Sequence, residues 1–121
     1  MPLHVNSVTF DAGDPVALAG FWASAFSVEV TTPGPFVAFV NPPGGPNLMF
    51  LQVEEAKSAK NRCHLDLHAD DEAGVDAEAA RLVDEGATIV DTHREFGLYW
   101  TTLQDPEGNE LCIGTPDPDA D

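Results

Sequence analysis

Positive charge is scarce in this chain. Its 121 residues carry five Lys and Arg against 21 Asp and Glu, a formal net charge of -16. A nucleic-acid surface needs a basic footprint, and the only basic cluster, Lys57, Lys60 and Arg62, is too small to supply one. Nucleic acid is therefore excluded as a partner. Cysteine is nearly as scarce: Cys63 and Cys112 both fall in predicted strands and make no disulfide framework. No apolar run is long enough to span a bilayer, so no membrane partner is expected. Met1-Pro2-Leu3-His4 lacks the basic start and apolar run of a signal peptide, and the missing disulfide framework makes a reducing cytoplasm the expected compartment. The acidity suits solubility or salt adaptation, and it also suits attraction of a cationic ligand.

The length allows one domain with a real core. Its elements follow one order twice. Residues 3–11 alternate as a strand. Asp14-Pro15 then opens a helix, Asp as N-cap and Pro at the first helical position. Leu18, Phe21, Trp22, Ala25 and Phe26 give that helix an apolar stripe. Strands are predicted over 28–32, 36–41 and 48–53, with a Pro42–Pro46 loop between the last two. Residues 54–61 are a polar connector. The second half opens with a strand over 62–69. A helix capped by Asp70 or Asp71 runs to about Glu85 and stops at Gly86. Strands over 87–91, 98–104 and 110–114 complete it, with Asp105-Pro106-Glu107-Gly108-Asn109 as a strong turn. The modules are thus about 3–53 and 62–114, each βαβββ, in an α+β chain with a flexible acidic tail over 115–121. Asp14 follows Ser7 by seven residues, and Asp71 follows His64 by seven, which makes Ser7 and His64 equivalent positions.

Strand alternation then selects the side chains that share a polar face. His64, Asp66 and His68 lie together on the fifth strand, opposite Cys63, Leu65, Leu67 and Ala69. Ser7, Thr9 and Asp11 share the corresponding face of the first strand. Glu110 and Cys112 come from the last strand, because Leu111 and Ile113 face the helix layer. Gln52 joins from the fourth strand, whose weak alternation reads either way. The candidate ligand pocket is therefore Ser7, Thr9, Gln52, His64, Asp66, His68 and Cys112. Ordinary structural roles compete with this reading. His64 suits packing and His68 solvent exposure, while Asp66 suits a salt link to Arg62 or a hydrogen bond to Thr9. Cys112 suits the small buried residue that a free Cys usually is. Cys112 beside His64 could also form a nucleophile–base pair, although nothing in the sequence orients it. Pro42–Pro46 and Thr92–Leu98 are the loops expected to set specificity. Arg94 and Glu95 either reach the pocket from the second loop or stay exposed.

The βαβββ repeat, His64 on the fifth strand and the run Asp105-Pro106-Glu107-Gly108-Asn109-Glu110-Leu111-Cys112 resemble the vicinal oxygen chelate superfamily, in particular its glyoxalase-like domain branch. The resemblance implies two modules forming a U-shaped, partly closed mixed sheet with helices on the outer face. It implies that metal-dependent members hold a divalent ion with ligands from the first, fifth, eighth and often fourth strands. Those positions are Ser7, His64, Cys112 and Gln52 here. One His, one Cys, one Ser and one Gln make a poor set for Mg or Mn, which want oxygen ligands. Zinc would need a third good ligand from Asp66, His68 or Glu110. No cofactor is therefore expected, with a divalent metal on His64 as the alternative.

Three functions follow. The first is a small-molecule-binding protein with a degenerate metal site, which sequesters a cationic compound in the manner of bleomycin-resistance proteins and pairs as a homodimer. The second is a lyase, isomerase or dioxygenase in which His64 is metal ligand or general base and Glu110 or Asp66 its acid–base partner. The third is a domain that serves mainly as a dimer partner.

Overall fold

A computed structural model describes residues 3–119 and divides the chain into two compact units, Met1–Ala56 and Lys57–Asp121. The first unit contains β1 (Ser7–Ala12), α1 (Pro15–Phe26), β2 (Val30–Gly34), β3 (Val37–Val40) and β4 (Asn47–Gln52). The second contains β5 (Leu65–His68), α2 (Glu72–Asp84), β6 (Thr88–Glu95), β7 (Leu98–Gln104) and β8 (Glu110–Pro116). The two four-stranded sheets have matching orders, β1-β4-β3-β2 and β5-β8-β7-β6. In each, the first strand of the module runs parallel to the last, and the other neighbours are antiparallel. The two βαβββ modules are therefore real, and the chain is α+β.

The helices begin where capping chemistry places them. Asp14 accepts from the Ala17 N–H at 3.1 Å with Pro15 in the first turn, and Asp71 accepts from the Gly74 N–H at 2.7 Å. Each cap satisfies a donor that the helix itself cannot. In the first unit α1 packs on β3 and β4. Trp22 and Phe50 are fully buried there, with the Phe10 ring 5.2 Å from each. Burial of a side chain of this size contributes about 1.5–3 kcal/mol. In the second unit α2 lies on β7 and β8. Val75, Ala79 and Leu82 are buried on the helix, as are Leu103, Leu111 and Ile113 on the strands.

Several boundaries differ from the sequence expectation. β1 starts at Ser7 rather than Leu3. Pro33 sits inside β2 instead of breaking it. β2 is an edge strand, where a missing N–H leaves no central ladder bond unmade. β6 continues through Glu95 and turns over two residues, Phe96 and Gly97, both at positive φ. That is the pair of left-handed conformations a type I′ hairpin requires, so most of the expected Thr92–Leu98 loop is strand. β8 runs on to Pro116 with Thr115 buried, and the Asp117 N–H bonds the Gly97 carbonyl at 2.8 Å. The start of the expected flexible tail is thus strand and turn, whereas Ala120 and Asp121 lie outside the described residues. Among the described residues no helix is long and apolar enough to cross a membrane.

Candidate functional site

The face of the second sheet away from α2 carries a cavity of about 1150 Å³. The strand register arranges its walls in rows. Asp66 pairs with Cys112, Cys112 with Thr102, and Thr102 with Asp91. The next row runs His68, Gly114, Trp100 and His93. Glu110 sits opposite Gln104 at one end of the strands, and Pro116 opposite Leu98 at the other. All of these residues line the cavity.

A chain of polar contacts crosses the sheet at the first of these rows. His64 Nδ1 lies 3.0 Å from Asp66 Oδ1, and the Cys112 thiol lies within 4.8 Å of both side chains. Thr102 Oγ1 is 3.4 Å from Cys112 Sγ. Burial pushes the Cys112 thiol up, the Asp66 carboxylate adds to that, and the Thr102 hydroxyl opposes it. A thiol that holds its proton is a poor nucleophile. Asp66 also meets both the imidazole and the thiol, so it occupies the middle place that a Cys–His pair would need the imidazole to fill. Asp66 thus finds its partners in His64 and Cys112 rather than in a link to Arg62.

Glu110 is buried at the end of β8, and Lys60 reaches it with Nζ at 2.5 Å from Oε1. The Lys60 ammonium holds the Glu110 carboxyl below its ordinary value of 4.5, and Glu110 in turn raises Lys60. A carboxylate held ionised is a hydrogen-bond acceptor and base, not a proton donor at neutral pH. A depressed carboxyl stabilises the fold above its unfolded pKa, and that contribution is lost as the pH falls through the folded value. Lys60→Met should therefore destabilise the protein at about pH 7 much more than at about pH 3. Urea midpoints of the two proteins at both pH values would check this, and a gap that does not narrow in acid would contradict it.

A His–aromatic pair forms the wall toward the hairpin. The His93 and Trp100 rings stack with centroids 5.0 Å apart, and His93 Nε2 lies 2.8 Å from Asp91 Oδ1. Phe96 at the hairpin tip is 88% exposed, and Leu98 follows it on the cavity face.

The expected site residues divide between the units. His64, Asp66, His68, Glu110 and Cys112 line this one cavity. Ser7 and Thr9 belong to the first unit, half-buried and exposed on β1. The expectation that Gln52 shares their face gives way. Gln52 pairs with Ala12, and its position in β4 is in step with Leu48 and Phe50, which face α1, whereas Asn47, Met49 and Leu51 pair with Ser7, Thr9 and Asp11. Its amide donates to the Gly13 carbonyl at 3.4 Å. Arg94 does not reach the cavity either. It pairs with Glu72 and with Asp117 (3.3 Å), and its guanidinium lies 4.4 Å over the Tyr99 ring.

Comparison with known proteins places this architecture. A family model described as a glyoxalase-like domain matches residues 7–114. The chain belongs to the glyoxalase-like domain family. Its fold is that of the vicinal oxygen chelate superfamily. Similar solved structures include a glyoxalase/bleomycin resistance protein/dioxygenase family enzyme from Burkholderia phytofirmans, 20% identical, with TM-score 0.79 over 90% of this chain and 95% of that one. A glyoxalase-related enzyme from Fulvimarina pelagi is 21% identical, with TM-score 0.76 over 92% and 86%. A lactoylglutathione lyase from Agrobacterium tumefaciens is 22% identical, with TM-score 0.68 over 94% of each chain. At these identities the likeness is one of fold. No curated protein matches the sequence significantly.

The superfamily's divalent metal can be tested against this glyoxalase-like domain's own donors. One ligand atom each from His64, Asp66 and Cys112 lies within 4.8 Å of the others. Nitrogen, oxygen and thiolate sulfur together do not suit Mg or Mn, which select oxygen. They do suit zinc, which takes all three, and Asp66 is the third ligand that the sequence left open. Missed by the sequence reading were Trp100, Thr102, Gln104, Asp91 and His93. For Trp100, Thr102 and Gln104 the signal was present in β7, where Leu98, Trp100, Thr102 and Gln104 alternate with the buried Tyr99, Thr101 and Leu103; Asp91 and His93 share one face of β6.

Proposed function

We propose that this glyoxalase-like domain binds a small organic cation in the cavity of its second unit. The observation that carries this reading is the cavity itself, at about 1150 Å³, with the Asp66 carboxylate on its wall. Small-molecule sites are concave, largely apolar and oriented by a few polar groups, with volumes of roughly 300–1,000 Å³. Asp66, Asp91 and Glu110 line the cavity against Lys57 and Lys60, and Lys60 is already neutralised by Glu110. The local balance is therefore negative, and the net charge of -16 attracts cations from a distance. On this reading Asp66 orients the cation, His64 keeps that carboxylate in place, and Trp100 offers an aromatic face.

A second reading is favoured by the proximity of His64, Asp66 and Cys112. These three residues would hold a zinc ion, and zinc would supply a Lewis acid for lyase, isomerase or dioxygenase-type chemistry. His64 and Cys112 would then act as ligands, and Glu110, held ionised by Lys60, would act as a base.

One experiment separates the two. Protein purified without chelator is analysed for metal and then titrated with benzylammonium by calorimetry at low and high salt. The binding reading expects substoichiometric zinc and a salt-sensitive heat of binding that Asp66→Asn removes. Stoichiometric zinc that is lost in His64→Ala, with no heat from benzylammonium, overturns it in favour of the second reading.

A further inference from the structure

The cavity changes character along its strands. β8 crosses it from Glu110 to Pro116, about 20 Å at a strand's rise of roughly 3.3 Å per residue. At the Glu110 end stand Lys60, His64 and Gln104, and the Asp66–Cys112–Thr102–Asp91 row follows. At the Pro116 end the lining turns to Trp100, Leu98 and Phe96. Between these ends Gly114 presents bare backbone beside Trp100. An added Cβ there would lie 3.1 Å from the Trp100 Cβ and 3.3 Å from the Tyr99 carbonyl oxygen. The floor is thus lowest where the aromatic wall begins.

The apolar end is also exposed in a way that the fold alone does not explain. Phe96 is 88% exposed and Leu98 45%, although both line the cavity. Phe96 holds φ at 56°, a conformation that a bulky residue adopts only against strain and that Asn or Gly would adopt freely. The hairpin would form more readily without an aromatic at that position.

We propose that the ligand is an elongated amphipathic cation, its ammonium at Asp66 and its hydrophobic body laid over Gly114 against Trp100, Leu98 and Phe96. This rests on the cation-binding reading and adds to it a direction, a length and a chemical class. Permanent charge with no apolar body would leave the hairpin wall wet, and an apolar body without a cation would leave Asp66 unpaired from the ligand.

The test is calorimetric titration of the full chain with benzylammonium, 2-phenylethylammonium and 4-phenylbutylammonium, with the matching phenylalkanoates as controls. Affinity should rise about fourfold for each methylene added, the gain that burial of one such group gives. Phe96→Asn and Leu98→Thr change exposed positions, and Asn suits the turn, so both variants should fold. Each should flatten the dependence on chain length. Asp66→Asn should weaken the whole ammonium series by a common factor and leave its slope. Ammonium binding that ignores chain length, or a slope that survives both hairpin substitutions, overturns the graded cavity while cation binding stands. Tighter binding of the phenylalkanoates overturns the ammonium head group. Silence from every compound removes the cation-binding reading together with this one.

Discussion

Asp105→Ala will destabilise the protein by about 3 kcal/mol, the combined cost of losing hydrogen bonds to a charged group and leaving their donors unsatisfied. Asp105 is 3% exposed. Its Oδ1 accepts from the backbone N–H groups of Glu107 and Asn109, each at 2.9 Å, and the Asn109 amide bonds both carboxylate oxygens. The carboxylate thus knits the turn that delivers β8 into the sheet, with Gly108 at φ 89° closing it. Alanine removes every one of these acceptors at once. Asn keeps one acceptor and should recover part of the loss. The measurement is the urea midpoint with an unchanged slope, and a variant that unfolds within experimental error of the parent would show that the turn holds without its carboxylate. Because β8 carries Glu110, Cys112 and Gly114 into the cavity, ligand binding should weaken in parallel.

Gly114→Val is expected to act on both stability and binding. The Trp100 Cβ and the Tyr99 carbonyl oxygen lie 3.1 and 3.3 Å from where a Cβ at residue 114 must sit. Both belong to or adjoin the β7 backbone and cannot swing aside as the end of a long side chain could. Overpacking of this kind costs about 1–3 kcal/mol. The added methyl groups also fill the floor beside Trp100 and tilt the ring stacked on His93. Affinity for 4-phenylbutylammonium should fall by about tenfold or more, the equivalent of about 1.4 kcal/mol, while benzylammonium, which does not reach so far, should lose less. Equal losses for the two compounds would place the ligand body elsewhere.

Much of the fold was legible because local chemistry encodes it. Asp14-Pro15, Asp71, Gly86 and the Asp105–Asn109 turn each satisfy or release backbone groups within a few residues, so their sequence signals survive folding unchanged. The alternation that put His64, Asp66 and His68 on one face survived for the same reason. What failed depended on context. Pro33 reads as a breaker until β2 is known to lie at an edge. The β6–β7 hairpin stayed hidden because Phe96 occupies a position where Asn or Gly would have announced the turn. For Arg94 the choice between pocket and surface stayed open only while Thr92–Leu98 was a loop, since strand alternation sends it to the side opposite His93, toward Glu72 and Tyr99, where its side chain is exposed. Gln52 fell on the wrong face because Asn47, Met49 and Leu51 blur the β4 alternation. The Lys60–Glu110 pair joins residues 50 apart in sequence, a distance over which no local pattern operates.

The parallel pairing of β5 with β8 also has a kinetic meaning. β6, β7 and β8 are joined by short turns and can zip together through contacts close in sequence. β5 must find β8 across the whole module, Leu65 meeting Leu111, and closure of so long a loop is entropically the costlier step. The meeting of Asp66 with Cys112 is made by that closure and by no earlier one. A chain arrested with its three-stranded meander formed would have the aromatic wall of the cavity but not the Asp66 carboxylate, so ligand capture should report the final docking event of the module rather than its collapse.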